Sequence, residues 1–326
     1  MDAASTEHDP ARCTRLAPSP TGALHLGNAR SFLVAWAIAR ARGWRVVLRI
    51  DDLAGPRVKP DAARRAIDDL AWLGLDWDGE PVVQSARLGR YAGAMRDLAA
   101  WGRVFPCDLS RREIHAALEA PHAEPGGVGA ETRFARSLRP PLAPMVFDRD
   151  AQARGWRFAT PDGPVTFEDA VLGAVTTDPA RTIGDFVVWT RDGQPAYQLA
   201  TILDDHDLGV TDVIRGDDLL ESTGRQLVLA RALGLAPEPR FWHLPLVVGP
   251  DGRRLAKRHG DTRLAHYRDA GVAPERVVAL LARWSGVRGA GEAMTAADFA
   301  RRFDPATMPR ARTVFTDEDD RWLRAD

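Results

Sequence analysis

Apolar positions change period several times along the chain, and each change predicts an element. Residues 13–17 read as a short strand. Leu26, Ala29, Leu33, Ala37 and Ala41 then recur at helical spacing, which predicts a helix over 24–42. Gly43 follows as a helix-ending glycine. Residues 45–50, centred on Val46-Val47-Leu48, form an apolar run that reads as a strand. Strand, glycine-bearing turn, helix and strand make a βαβ unit and imply a parallel sheet with a right-handed crossover. A further helix is predicted over 60–73, with Pro60 near its start and Gly74 at its end.

From 102 to about 195 this rhythm is lost. Pro125-Gly126-Gly127 and Pro140-Pro141 interrupt it, and strand-like runs appear at 145–147 and 186–190. Pro161-Asp162-Gly163 and Asp192-Gly193 signal hairpin turns. This stretch reads as an insertion into the parallel sheet. The α/β pattern resumes at Tyr197, with a strand over 210–214, a helix over 224–233 and a last strand over 242–248. The remainder is mostly helical, most clearly at 272–284 and 296–303. No internal repeat is present.

Composition narrows the class. The chain has 326 residues, 45% hydrophobic and 27% charged, which suits two or three domains with a sizeable core. A net charge of −1 excludes a global basic field for nucleic acid. Arginine-rich stretches near 111–112, 133–139, 253–258 and 301–312 can still form a local phosphate-facing surface, although each alone reads as a solvated face. Two cysteines, Cys13 and Cys107, make no disulfide framework and fit a reducing compartment. Residues 1–12 are polar, with no signal-peptide core, and read as a disordered lead-in. No apolar run of 18 residues occurs, so a cytoplasmic protein without membrane attachment is expected.

The candidate chemistry lies at strand ends. Pro18-Ser19-Pro20-Thr21-Gly22 leads into His25-Leu26-Gly27-Asn28 at a helix start, where unpaired amides and the helix dipole favour an anion. There His25 can donate to a phosphate as charge develops on it. A lone histidine at that place is otherwise a capping residue. Lys257, in Arg254-Leu255-Ala256-Lys257-Arg258 and flanked by Gly249, Gly252 and Gly260, offers a second clamp; alone it is a solvated basic loop. Together the two suggest an ATP-using, adenylate-forming enzyme. Arg49-Ile50-Asp51-Asp52 ends one parallel strand, where ligands bind, so a carboxylate there can hold an ammonium or a ribose hydroxyl, or cap a turn. Arg215-Gly216-Asp217-Asp218 ends another. Arg215 and Arg15 converging on one pocket point to an acidic small substrate, the alternative for each being a structural ion pair. Asp204-Asp205-His206 is metal-like in composition, but its spacing is too tight for one site and a strand-end turn is expected.

These residues resemble a known family. Arg15 and the 17–22 and 25–28 blocks, with 254–258, are similar to the HIGH and KMSKS signatures of the class I aminoacyl-tRNA synthetases. Arg49-Ile50-Asp51-Asp52, Asp78-Gly79-Glu80, Gln84-Ser85, Val213-Ile214-Arg215-Gly216-Asp217 and His243-Leu244-Pro245 narrow the resemblance to the glutamyl branch, over about residues 13–285. It implies an α/β fold: a Rossmann-type catalytic domain over 13–104 and 196–258, an α+β insertion over 105–195 that faces the acceptor, and a C-terminal helical segment over 259–326. It implies ATP with Mg²⁺. It assigns His25 and Lys257 to catalysis, and His25, Gly27, Asn28 and Lys257 to ATP. Glutamate falls to Arg15, Leu16, Ala17, Pro18, Ser19, Asp51, Tyr197 and Arg215. Only 69 residues follow Lys257, which leaves no room for an anticodon-binding module and selects the truncated glutamyl-Q branch. That branch activates L-glutamate without tRNA and transfers it to queuosine in the anticodon loop of tRNA(Asp). A tRNA-dependent enzyme with another acceptor, and a degenerate nucleotide- or RNA-binding paralogue, are the competing readings; a monomer is expected. Three departures stand out. Asp51 replaces the family's usual Glu. The Lys257 loop lacks the usual first Lys and the Ser. Of the zinc-binding cysteines only Cys107 is present, so no structural zinc is expected.

Overall fold

The computed structural model describes residues 11–20, 22–54, 58, 61–110, 112–114, 133–253, 255 and 261–325. β1 (Cys13–Leu16), α1 (Leu26–Ala41) and β2 (Arg45–Ile50) form the expected βαβ unit, with β1 and β2 parallel. Gly43 ends α1 at φ 65°. Its N–H donates to the Arg40 carbonyl and that of Trp44 to the Ala39 carbonyl, a Schellman cap that needs the left-handed backbone glycine allows. α2 (Ala62–Trp72) leads to β3 (Val82–Val83), which extends the sheet beyond β2.

α3 (Leu88–Ala100) precedes a separate antiparallel sheet of β4 (Val104–Pro106), β5 (Trp156–Phe158) and β8 (Phe186–Trp189). Between β5 and β8, the hairpin of β6 (Val165–Asp169) and β7 (Gly173–Thr177) and the short α4 (Pro179–Thr182) intervene. The hairpin belongs to the other sheet: β6 runs parallel to β10 (Arg240–Leu244). The stretch expected as one insertion over 105–195 therefore contributes to both sheets. Residues 145–147 are not a strand. Prolines at 140, 141 and 144 limit ladder donors. The segment is pinned instead by the Met145 N–H to the Ala99 carbonyl, and Phe147 plugs edge-on between Trp156 and Trp189.

α5 (Tyr197–Asp207), β9 (Asp212–Gly216) and α6 (Leu220–Ala232) return the chain to the parallel sheet, where β9 pairs with β10. The two parallel halves join along β1 and β9: the Thr211 N–H donates to the Cys13 carbonyl at 2.9 Å, and Thr14 Oγ1 to the Asp212 carbonyl at 2.8 Å. The connection β1 to β2 thus runs one way and β9 to β10 the other. The sheet has a switch point between β1 and β9, the place where doubly wound sheets open a ligand crevice. Arg12, expected in the disordered lead-in, is anchored at this seam. It is ion-paired to buried Asp212 and stacked 4.2 Å from the Trp44 ring; residues 1–10 lie outside the described ones.

The strand expected over 242–248 breaks at Pro245, which has no N–H to offer. β11 (Val247–Val248) follows and pairs in parallel with β12 (Thr313–Val314). The C-terminal segment is accordingly not purely helical, although α7 (Leu264–Asp269), α8 (Pro274–Trp284), α9 (Ala296–Arg302) and α10 (Asp317–Arg324) dominate it. Side chains of α1, α8 and α9 bury Leu16, Val46, Leu48, Ile50, Ile214 and Leu244 in one core. Those of α3, α5 and α6 share the second core with Cys13, Val47, Val213 and Phe241. Parallel strands covered on both faces carry apolar side chains in both directions, as these do.

Candidate active site

Strand periodicity assembles the site. Side chains two residues apart share a face. Cys13, Val47, Val213 and Phe241 all enter the core under α3, α5 and α6. Two residues further along each strand stand Arg15, Arg49, Arg215 and His243, on that same face at the carboxyl ends of β1, β2, β9 and β10. Each is buried to 5% exposure or less. Four neighbouring parallel strands thus present three guanidinium groups and an imidazole to one crevice.

Two of these arginines are neutralised from within. Asp205, buried on α5, accepts from Arg15 Nε at 3.1 Å and from Arg49 Nη1 at 2.6 Å. Burial alone would raise the Asp205 carboxyl, but Arg15, Arg49 and Arg215 together hold it below the usual carboxylate range. Arg49 also grips both oxygens of Asp51, at 2.6 and 3.1 Å. Burial opposes the Arg49 charge, and Asp51 and Asp205 outweigh it, raising Arg49 well above its ordinary value. Asp204 and Asp205 therefore do not lie in a strand-end turn. They occupy the last turns of α5, because its apolar face and the ion pairs together bury them. Asp204 accepts from Gln84 Nε2, Arg87 Nε and the Tyr91 hydroxyl, which ties α5 to α3.

Arg215 differs. Its Nε donates to His243 Nε2 at 3.2 Å, and Nη2 donates to Thr223 Oγ1 at 2.7 Å and to the Leu219 carbonyl at 3.4 Å. All three acceptors are neutral when His243 is. Its Nη1 is buried with no hydrogen-bond partner among the described residues. Burial, helped by Arg15, lowers its pKa; the side chain of Tyr197, the exposed first residue of α5, which lies in hydrogen-bonding reach, and the more distant charge of Asp205 oppose that shift. Arg30 also lacks a carboxylate partner among the described residues, but it lies in α1 on the opposite side of the sheet, bonded to the Pro245 carbonyl and Ser285 Oγ, with burial lowering it to about 10.

The loop after β1 is fixed to the end of β2. The Asp51 N–H donates to the Pro18 carbonyl at 3.1 Å and Ser19 Oγ to the Asp51 carbonyl at 3.2 Å. Leu16 turns its side chain into the α1 core, so only its backbone can face the crevice, and Ala17 is half-buried beside it. His25 caps α1: Nδ1 accepts from the Gly27 and Asn28 amides at 3.1 and 3.4 Å, and Asn28 Oδ1 accepts from the His25 N–H. Those two amides are engaged by the ring rather than presented bare. Because Nδ1 accepts, the neutral ring carries its proton on Nε2, which is the donor. A Cβ on Gly27 would lie 3.0 Å from His25 Cε1, so glycine here makes room for the ring. Lys257, with Arg254, Ala256 and Arg258, lies outside the described residues. Beyond that loop Thr262 accepts from the Leu26 N–H at 3.0 Å, and residues 263 and 25 form a bridge. Cys107 lies just past β4, its amide bonded to the Gly155 carbonyl at 2.8 Å.

Sequence reasoning missed Asp205 as a partner of Arg15 and Arg49, and named His243 only within a motif. The signal for His243 was available: it sits at the same place on its strand as Arg15, Arg49 and Arg215.

The switch-point crevice, the capped histidine after β1 and the arginine-lined strand ends define a class I synthetase catalytic domain. The family of tRNA synthetases class I (E and Q), catalytic domain, matches residues 12–322, and the chain belongs to it. Within that family it is 49% identical to the glutamyl-Q tRNA(Asp) synthetase of Rhodopirellula baltica, over 84% of each chain. It is 46% identical to the glutamyl-Q tRNA(Asp) synthetase of Symbiobacterium thermophilum, over 91% of this chain and 94% of that one. The fold is similar to a glutamate tRNA ligase from Elizabethkingia meningosepticum solved in complex with its amino acid. The TM-score is 0.78 at 26% identity, covering 96% of this chain and 68% of the other.

Proposed function

We propose that this protein activates L-glutamate with ATP, without tRNA, and transfers it to the queuosine nucleoside of tRNA(Asp). In the first step a carboxylate oxygen of glutamate attacks the α-phosphorus of ATP, forming glutamyl-adenylate and releasing pyrophosphate. In the second the acceptor takes the glutamyl group and AMP leaves. The observation that carries the amino-acid specificity is Arg215: buried, met by neutral acceptors, with Nη1 unpartnered among the described residues. A buried cation in that state favours an incoming anion, and the side-chain carboxylate of glutamate supplies one in bidentate geometry. Glutamine would leave the charge uncompensated. Tyr197 borders the same guanidinium. Arg15, already paired to Asp205, shapes the pocket with residues 16–19 rather than meeting the substrate as a free charge. Asp51, held by Arg49, would meet the substrate ammonium through its carboxylate edge or a bridging water.

ATP would lie over the α1 start. His25 Nε2–H is the donor for phosphate charge that develops in the transition state, with Gly27 and Asn28 holding the ring in place. Lys257 would act from the other side: it lies a short step in sequence before Thr262, which is bonded to the residue after His25. Mg²⁺ accompanying ATP supplies charge neutralisation on the phosphates. Among the described residues no group of three or more His, Cys, Asp or Glu is placed to hold a metal. The β4-β5-β8 sheet is the proposed acceptor-facing part, and a cytoplasmic monomer acting on the anticodon stem-loop is the assembly this reading calls for.

The test is amino-acid-dependent ATP–pyrophosphate exchange without RNA, comparing glutamate, glutamine and aspartate. Exchange with glutamate alone is the expected result. Exchange that appears only once tRNA is added would replace this reading with a tRNA-dependent glutamyl synthetase. None under either condition would leave a nucleotide- or RNA-binding paralogue.

A further inference from the structure

Behind Arg215 lies a closed set of hydrogen bonds that the proposed chemistry does not use. His243 Nδ1 is 2.7 Å from Asp169 Oδ2, and Nε2 is 3.2 Å from Arg215 Nε and 3.0 Å from Thr223 Oγ1. A guanidinium can only donate, so Nε2 must accept and the ring proton sits on Nδ1, donated to Asp169. Thr223 then gives its hydroxyl proton to Nε2 and accepts from Arg215 Nη2 at 2.7 Å. Asp169 is itself fixed: Oδ1 accepts from the Val171 and Leu172 amides at 2.9 Å each, and Oδ2 also accepts from the His243 N–H. Asp169, Thr223 and His243 are buried, and the His243 ring stacks on Phe241 at 11°. Every hydrogen-bonding direction in this set is determined.

The arrangement solves a particular problem. A carboxylate placed directly on Arg215 would orient it and also cancel the charge needed for a substrate anion, as Asp205 does for Arg15. Here a neutral imidazole stands between Arg215 and Asp169. We propose that His243, backed by Asp169 and shared with Thr223, is a positioning residue that orients Arg215 while leaving its charge available to the side-chain carboxylate of glutamate. The inference rests on the reading that Arg215 receives that carboxylate.

A protonated His243 would turn an Nε2–H against Arg215 Nε–H and lose both acceptor contacts. The charged groups facing the ring are Asp169 from β6, Arg215 from β9 and Asp217 from the turn after β9. Burial and Arg215 push the imidazole below its ordinary range against the pull of Asp169 and Asp217. The neutral form therefore persists at neutral pH. The Michaelis constant for glutamate should rise only in acid, below the ordinary imidazole value of about 6.5.

The experiment is steady-state ATP–pyrophosphate exchange on His243→Asn, His243→Gln, Thr223→Val and Thr223→Ser, with Arg215→Ala alongside and each variant's melting temperature recorded. Asn keeps a donor for Asp169 but offers Arg215 nothing; Gln restores an acceptor near the Nε2 position; Val removes the shared hydroxyl at nearly constant volume, and Ser returns it. We expect His243→Asn and Thr223→Val to raise KM for glutamate about tenfold or more, the loss of roughly one hydrogen bond to a charged group, with KM for ATP within about twofold. Thr223→Ser should recover wild-type values, His243→Gln should recover part, and the acid rise in KM should disappear in His243→Gln. If His243→Asn fails to fold, the Thr223 pair carries the test alone. Wild-type KM for glutamate in folded Thr223→Val, with KM raised in Arg215→Ala, would overturn the inference and leave the proposed function standing. Variants that lose melting temperature while keeping wild-type KM would overturn it in the same way. No glutamate-dependent exchange by the wild-type protein would instead remove the reading on which the inference rests.

Discussion

The two halves of the parallel sheet treat buried arginine in opposite ways. At the ends of β1 and β2, Arg15 and Arg49 meet Asp205 and Asp51, at distances between 2.6 and 3.1 Å. At the ends of β9 and β10, Arg215 meets an imidazole, a hydroxyl and a carbonyl. The first set is closed: its charges are satisfied within the chain, and it holds β1, β2 and α5 together at the floor of the crevice. The second is open, because one cation has been desolvated with no carboxylate hydrogen-bonded to it among the described residues, Asp205 acting on it only through space. Burying a charge in that state is costly. The difference teaches that the sequence similarity of three strand-end arginines hides two tasks, one structural and one receptive, and that the partner decides between them.

The comparison breaks most severely at Asp205. Asp205→Ala removes the carboxylate paired to buried Arg15 and one of the two that hold buried Arg49, and should lower unfolding free energy by about 3–5 kcal/mol in urea denaturation. Arg215→Ala, which removes a cation with no carboxylate hydrogen-bonded to it among the described residues, should cost clearly less by the same measurement. Equal losses would mean that both sets are structural. The pH dependence follows the sign of the Asp205 shift. Its pKa is lower folded than unfolded, so its contribution is present above the unfolded value of about 4 and fades as pH falls through the folded one. Asp205→Asn should flatten that acid limb.

On the chemical side, Lys257→Ala should slow glutamate-dependent exchange about 10²–10³-fold, the loss of one transition-state donor, with little change in KM for glutamate. Unchanged exchange kinetics would remove Lys257 from the step. Gly27→Ala should act more mildly. Its new Cβ would stand 3.0 Å from His25 Cε1, so the ring must shift by a few tenths of an ångström. A loss of exchange rate on the order of tenfold is expected, from misplacement of one donor rather than its removal. A wild-type rate in Gly27→Ala would show that His25 need not be held so closely.

Much of this was legible in the chain. The βαβ unit follows from the spacing of Leu26, Ala29, Leu33 and Ala37 and from Gly43, whose left-handed backbone is a local requirement. Arg215 was visible as a strand-end arginine, and His25 as a helix-start histidine. Asp205 was not, because its partner Arg15 lies 190 positions earlier and ion pairs across such distances leave no local period. Asp204-Asp205-His206 read as a turn because three polar residues in a row suggest solvent. In fact α5 is buried on most sides, and Gln84, Arg87 and Tyr91 compensate Asp204 from another element. Residues 145–147 have strand composition but no partner strand among the described residues, so Phe147 alone is buried, as a plug, while Met145 and Val146 stay exposed. The β6–β7 hairpin was counted with the insertion because hairpin signals do not say which sheet a hairpin joins.

Discrimination between glutamate and glutamine, measured as the ratio of kcat/KM in exchange for wild-type protein and for Arg215→Ala, tests the central claim most directly. If the open cation at β9 selects the substrate, wild type strongly prefers glutamate and the variant loses most of that preference while remaining folded. If Arg215→Ala separates the two amino acids as wild type does, the receptive charge lies elsewhere and the division between closed and open arginines has no functional meaning.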